Sequence, residues 1–236
     1  MKKIVLLMVL SLSLMFNASP ASSDQTPYVY TKTYQQPYPG EKEIEIYTDA
    51  SKDASGKKSY EYQLEYERGI DQNQSYSIYA DIKDKGEGAS LDGYKFEYRA
   101  HIAPYQKYFF DPALYLEYKA STEGRAEDEL ECKLILSRDF QKKWNFSGNL
   151  IWEKEVNRKS DTLFEYTAGF AYKYQTFCFY SLEFKGSPSE NEFFIIPGIS
   201  VPIDSTKRNR LNLGIGKGFK GTTGEYIARA VTSIEF

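Results

Sequence analysis

The sequence predicts an all-β fold: a closed, antiparallel, transmembrane β-barrel of about twelve strands behind an N-terminal signal peptide. Three observations carry that expectation. Apolar and charged residues alternate with period two over most of residues 43–236. Polar and glycine-rich breaks interrupt the alternation at near-regular intervals. The chain also ends on an alternating segment, "YIARAVTSIEF", that closes in Phe236.

The opening stretch "MKKIVLLMVLSLSLMFNASPA" places Lys2 and Lys3 before a short apolar run, with Ser19 and Ala21 at the −3 and −1 positions of a cleavage site. Residues 1–21 are therefore expected to be a signal peptide. The apolar run is shorter than the roughly 18 residues a spanning helix needs. Lipid anchoring would require a cysteine at the cleavage point, and the first cysteine is Cys132. Residues 22–42, rich in Pro, Gln and Tyr, read as an extended periplasmic leader without apolar periodicity. Whether this leader enters the lumen as a plug is left open.

From Glu43 the pattern predicts strands near 43–50, 58–68, 74–83, 93–103, 112–120, 129–138, 143–154, 162–174, 177–185, 192–203, 208–217 and 225–236. About 16 residues per unit suit a tilted spanning strand of about 10 residues plus a connection. "YEYQLEYE" (60–67) sets out the choice of orientation: Tyr60, Tyr62, Leu64 and Tyr66 share one face, and Glu61, Gln63, Glu65 and Glu67 the other. A soluble sandwich would bury the first face, with Leu114, Leu134 and Leu213 packed in a dry centre. A membrane barrel turns that face to lipid and lines its interior with the charges.

The breaks favour the barrel. "DASGKK", "KDKGEGASLDG", "STEGRAED", "VNRKSD", "KGSPSEN" and "GFKGTTG" are charged or Gly-rich, whereas "YQT" and "RDFQKK" are compact. That is the expected alternation of outer loops and short periplasmic turns. An even strand count returns the C-terminus to the periplasm. There a terminal aromatic, Phe236, resembles the assembly signal of bacterial outer-membrane barrels.

The inward face would carry Glu61, Glu65, Lys95, Glu97, Arg99, Glu117, Lys119, Glu131, Lys133, Glu165, Lys173, Glu183, Arg208, Arg210 and Arg229. Both signs at neighbouring depths could set ion selectivity or brace a narrow lumen by bidentate ion pairs. Trp144 and Trp152 lie on one face of one strand; a tilted strand separates them by roughly 20 Å, the distance between two interfacial girdles. Cys132 and Cys178 would face lipid from non-adjacent strands, too far apart to bridge. Pro197 and Pro202 in "FFIIPGISVPI" lack ladder donors, so their strand carries a bulge or the barrel is imperfectly closed there.

Composition excludes some partners. The mean hydropathy of −0.57 with 21 Tyr suits a barrel, which gives only alternate residues to lipid. The formal charge of −3 becomes −5 once the two signal lysines leave, and no basic patch interleaved with aromatics points to nucleic acid. "GKGFKG" matches G-x-G-x-x-G through Gly216, Gly218 and Gly221, but a strand rather than a helix follows, so the glycines read as a flexible outer loop. Asp84, Glu87 and Asp92 lack the ligand spacing of a calcium loop and read as solvated. With one histidine and two lipid-facing cysteines, no metal site is expected. No cofactor motif appears either.

The stretches "YVYTKTYQQPYPGEKEIEIYTDAS" and "YEYQLEYERGIDQNQSYSIYADI" resemble the start of outer-membrane barrels of the family named after the meta-cleavage pathway of phenol degradation. "YPGEKEIEIY" fills that family's "lPkGekElE"-like entry, and "SRDFQKKWNFSGNL" is similar to its recurrent turn-then-strand. The resemblance implies a Gram-negative outer-membrane barrel that passes small, often hydrophobic compounds, and it brings no catalytic residues.

Three functional classes follow. The first is a channel or transporter for an unknown small solute, in contact with outer-membrane lipid and the barrel assembly machinery. The second is a structural or surface-interaction barrel with a plugged lumen. The third is an outer-membrane hydrolase using His101, the sole histidine, predicted inward beside Arg99. No serine nucleophile motif accompanies it, and the expectation is a non-enzyme.

Overall fold

A computed structural model describes residues 26–53, 55–84, 88–122, 127–156, 162–175, 178–205, 208–220 and 224–236. Residues 1–21, expected to be a signal peptide, lie outside the described residues.

Among them run twelve strands: β1 Lys42–Asp53, β2 Lys58–Asp71, β3 Gln74–Asp84, β4 Ala89–His101, β5 Asp111–Ser121, β6 Glu129–Phe140, β7 Trp144–Glu155, β8 Leu163–Gln175, β9 Cys178–Ser187, β10 Glu192–Pro202, β11 Arg210–Lys220 and β12 Gly224–Glu235. Each pairs antiparallel with its sequence neighbour, and β1 pairs with β12 from Glu43↔Glu235 to Asp53↔Gly224, closing the barrel. Closure leaves no sheet edge exposed. The start of β1 and the end of β12 lie at one mouth, termed here the terminal mouth; the opposite one is the far mouth.

The alternation is inside-out relative to a soluble sandwich. Leu64, Phe96 and Phe170 are each 52% exposed, whereas Glu65, Glu97 and Glu183 are each 0% exposed. Leu213 is exposed too, and Leu114 and Leu134 share the outward parity of their strands. The dry leucine centre of a sandwich does not exist.

Local exceptions to period two explain where strand limits differ. β4 begins at Ala89 rather than at 93 because Asp81 pairs with Gly93 and Ile82 with Leu91, which makes Asp92 the extra residue of a bulge. Asp92 and Gly93 are both buried, so the inward-outward rhythm slips at that point. A Cβ on Gly93 would stand 2.7 Å from the Ala120 carbonyl oxygen, which accounts for the glycine. Asp92 is correspondingly not solvated: its carboxylate bridges Lys83 at 2.9 Å and Lys119 at 3.2 Å. Asp84 ends β3, and Glu87 lies outside the described residues.

β10 answers the proline question. It is paired with β9 through Pro197↔Leu182 and with β11 on its other side, so the wall is continuous. Ile195↔Lys217 and Gly198↔Gly214 keep one register toward β11, and the ladder is interrupted at Ile196 and Pro197 between them. The missing proline donor falls in that gap. The register shift lies elsewhere, opposite Phe193 and Phe194, where Phe219 of β11 is the extra residue, and Pro202 is the last residue of β10. Gly216 and Gly218 belong to β11 and not to a flexible loop, because Gly216 makes room for Ile196 and Ile227; Gly221 lies outside the described residues.

Connections at the terminal mouth are short at 72–73 and 141–143, as expected for turns, and β8 and β9 lie close in sequence; two others, 102–110 and the one between Pro202 and Arg210, span more residues. The first is pinned. Ile102 N–H donates to Pro112 O at 2.9 Å, Lys107 N–H to Pro104 O at 3.1 Å, and Tyr105 Oη–H to Asp139 at 2.8 Å. Burial and the Asp139 carboxylate push the Tyr105 hydroxyl up to about 12, which keeps it a donor at any physiological pH.

Candidate functional site, the barrel interior

Of the described part of the leader, residues 26–37 lie inside the barrel, bending at Val29 and Tyr30, and 38–41 lie at its terminal mouth, a placement the sequence left open. They touch side chains of β2, β4, β7, β9, β11 and β12, which stand around the whole wall. A backbone inside a pore that forms neither helix nor strand has no ladder of its own, so its amides and carbonyls need partners from the wall.

Glu183 of β9 supplies the first. Its two carboxylate oxygens accept the N–H groups of Val29 at 2.8 Å, Tyr30 at 2.9 Å and Thr31 at 2.8 Å. Asn149 of β7 imitates a neighbouring strand: Lys32 N–H donates to its Oδ1 at 2.8 Å, and its Nδ2 donates to Lys32 O at 2.9 Å. Asn212 of β11 donates to Thr26 O and Tyr28 O, Arg229 of β12 to Val29 O at 3.2 Å, and Arg99 of β4 to Gln35 O at 3.0 Å. Tyr28 Oη–H donates to the Asn145 side chain at 2.8 Å, and Tyr34 Oη–H to Ala103 O at 2.7 Å. Near the mouth Pro39 bridges Gly69 in parallel, and Gly69 N–H donates to Glu41 O. The segment then turns into β1.

Two wall glycines seat it. A Cβ on Gly169 would lie 2.5 Å from the Tyr28 ring, and one on Gly214 2.6 Å from Val29 Cγ2. Val29 completes an apolar layer with Tyr47, Tyr79, Phe194, Ile196 and Val231. Tyr34 does the same with Ala113, Tyr115 and Ile135. Beside the segment there remains a polar cavity of about 160 Å³ whose lining includes Lys32, Glu45, Glu67, Lys95, Arg99 and Lys133.

The predicted lumen charges divide by height. Glu65, Glu97, Arg99, Glu183 and Arg210 are fully buried at or below the segment. Arg99 contacts Glu97 at 3.1 Å and Glu67 at 3.7 Å, Tyr79 donates to Glu97, and the Tyr47 hydroxyl sits between the Glu45 and Glu65 carboxyl groups within hydrogen-bond distance of both. Arg229 makes a bidentate contact with Asp49, at 2.7 and 3.0 Å, of the kind expected of guanidinium groups. Toward the far mouth lysines do the bracing: Lys95 with Asp81 and Glu117, Lys119 with Asp92 and Glu129, Lys133 with Glu131, and Lys185 with Glu165. Glu61 is exposed at that rim, and Lys173 is half-buried near the terminal end of β8. Arg208 departs from expectation: it precedes β11, in the connection from β10.

Trp144 and Trp152 both face outward on β7, packed at a tilt against Tyr172 at 4.6 Å and Phe164 at 5.7 Å. Cys132 on β6 and Cys178 on β9 are free thiols of outward parity. Phe236 follows β12, where its N–H donates to Lys42 O at 3.0 Å.

His101 points inward, as expected, and stacks on Tyr34 with ring centroids 3.7 Å apart. Its Nε2 lies 2.7 Å from Tyr34 O. A carbonyl only accepts, so that nitrogen carries the proton and is no base while the segment is seated.

Sequence reasoning missed Lys32, Asn149, Asn212, Gly169 and Gly214. One signal was available: "YVYTKTY" is aromatic and β-branched, a strand-like run in need of partners. No protein-family model matches the chain, and no curated protein matches it in sequence. Solved structures share the fold. An outer membrane channel from Pseudomonas putida F1 is 9% identical, with a TM-score of 0.60 over 86% of this chain and 98% of that one. The KdgM porin is 10% identical, with a TM-score of 0.57 over 82% of this chain and 99% of that one. The fold is thus that of closed outer-membrane-type β-barrels.

Proposed function

We propose that this chain is a bacterial outer-membrane channel or transporter for small, hydrophobic or amphipathic molecules, held closed by residues 26–41. One observation carries the reading: a sealed wall turns aromatic and aliphatic side chains outward and ionised ones inward, an arrangement suited to a bilayer around a polar bore. Two structures of the same fold are a channel and a porin, which supports the class.

In this orientation the terminal mouth faces the periplasm, residues 1–21 are the export signal, 22–42 the leader and 43–236 the barrel. The assembly machinery reads Phe236, and the lumen charges set selectivity. The layer of Tyr47, Tyr79, Phe194, Ile196 and Val231 favours a hydrophobic solute, because withdrawal of Val29 would open those side chains to the bore. The resemblance to barrels named for phenol degradation makes an aromatic compound the first solute to try. The firm seating of residues 26–41 favours a second reading, a structural barrel that stays plugged.

Planar-bilayer conductance separates the two. The wild-type protein should give small steps, and Glu183→Ala should enlarge them several-fold, with phenol in the bath reducing the current. A heat-modifiable, folded Glu183→Ala protein that stays silent would establish the plugged structural barrel instead.

A further inference from the structure

Connection 102–110 meets the interior segment only at its first half, where Ala103 and Tyr105 touch Tyr34, and its second half leaves the bore. Its tip, Tyr108-Phe109-Phe110, turns out of the mouth and lies against the outer wall. Phe110 packs on Phe146 at 5.7 Å, and Phe109 on Phe110 at 4.9 Å and Phe140 at 6.3 Å; Phe140 and Phe146 both belong to the outward face of their strands. Phe109 is nevertheless 68% exposed, with Tyr108 and Trp144 exposed alongside. A soluble surface gains nothing from such a cluster, which is continuous with the apolar wall above it.

Cations frame the same patch. Arg138 lies over the Phe109 ring and donates to Tyr108 O at 3.3 Å, and Lys107 lies over the Tyr108 ring. Lys142 and Lys143, in the β6–β7 turn beside Trp144, are exposed. Rings that reach the ester region of a bilayer, with the Lys107, Lys142 and Lys143 ammonium groups on the connections outside the strands and the Arg138 guanidinium among the rings at the height of Phe146, match an anionic phospholipid in both polarity and charge.

We propose that the 102–110 connection and the β6–β7 turn form a docking surface for anionic phospholipid of the periplasmic leaflet. Phe109, Tyr108 and Trp144 enter the acyl-headgroup boundary, while Lys107, Arg138, Lys142 and Lys143 hold phosphate. This rests on the outer-membrane reading above.

The full-length barrel would be reconstituted into vesicles of phosphatidylcholine, with and without phosphatidylglycerol. Trp152→Phe leaves Trp144 as the single tryptophan, so quenching by lipid brominated near its ester groups reports contact there. Retention of phosphatidylglycerol over phosphatidylcholine, read by native mass spectrometry, should fall about fivefold for each of Lys107→Gln, Arg138→Gln, Lys142→Gln and Lys143→Gln. Arg138→Lys should restore the loss at its position, and Phe109→Ser should weaken Trp144 quenching. Heat-modifiable migration checks that each variant still forms the barrel. Folded, inserted variants that keep the wild-type lipid preference would overturn the docking surface and leave the membrane reading intact. A wild-type barrel with no quenching at Trp144 that enters no vesicle would sink both.

Discussion

Single residues decide whether the interior segment stays seated. Glu183 satisfies three buried backbone donors at once, and each hydrogen bond to a charged group contributes about 1.5–3 kcal/mol. Glu183→Gln keeps one acceptor oxygen but loses the charge, so amide exchange at Val29, Tyr30 and Thr31 should quicken by at least about tenfold. Deuterium uptake at those amides, against unchanged uptake in β9, would measure it. The two glycines offer an independent test, since they act by volume alone. Gly169→Val puts a side chain where the Tyr28 ring now lies, which no rotamer of the ring avoids without leaving its seat. Larger conductance steps in that variant, matching Glu183→Ala, are expected.

At the scale of elements, the departures from ideal strands are the informative places. The β4 bulge turns Asp92 inward between two lysines, and Gly93 permits the close approach to Ala120 O. Gly93→Ala should therefore destabilise the β4–β5 pairing by about 1–3 kcal/mol, read as a lower urea midpoint for the heat-modifiable form. β12 makes a different demand. Deleting Phe236 removes a backbone hydrogen bond to Lys42 O and the ring beneath the Lys42 ammonium, and leaves the register of β12 with β1 unchanged. Refolding in detergent should barely change, while the amount reaching the outer membrane of cells should drop several-fold. Equal losses in both would deny Phe236 any role as an assembly signal.

For the whole molecule the test is which way the wall faces. Leu116 lies at mid-strand on β5, outward and exposed. Leu116→Arg should cost about 2–4 kcal/mol in a bilayer, as expected for a basic side chain near the midplane of a barrel. Equilibrium unfolding from lipid vesicles would show it, and a neutral result would argue against a lipid-facing wall.

The barrel was legible from alternation because a wall one residue thick separates two solvents, and every strand must obey that separation whatever its neighbours are. All twelve strands follow from it, as does the outward set of Tyr62, Leu64, Phe96 and Phe170. Local pattern could not reveal the 102–110 excursion, the β4 bulge or the inward rings of Tyr47 and Tyr79. A tyrosine at inward parity looks like any other until its hydroxyl is seen against Glu65 or Glu97. Tertiary structure alone decided that the leader fills the bore. Its partners, Glu183, Asn149, Asn212 and Arg229, stand between 117 and 200 residues away in sequence. Hydrogen bonds across such separations exist only once the wall has closed around them.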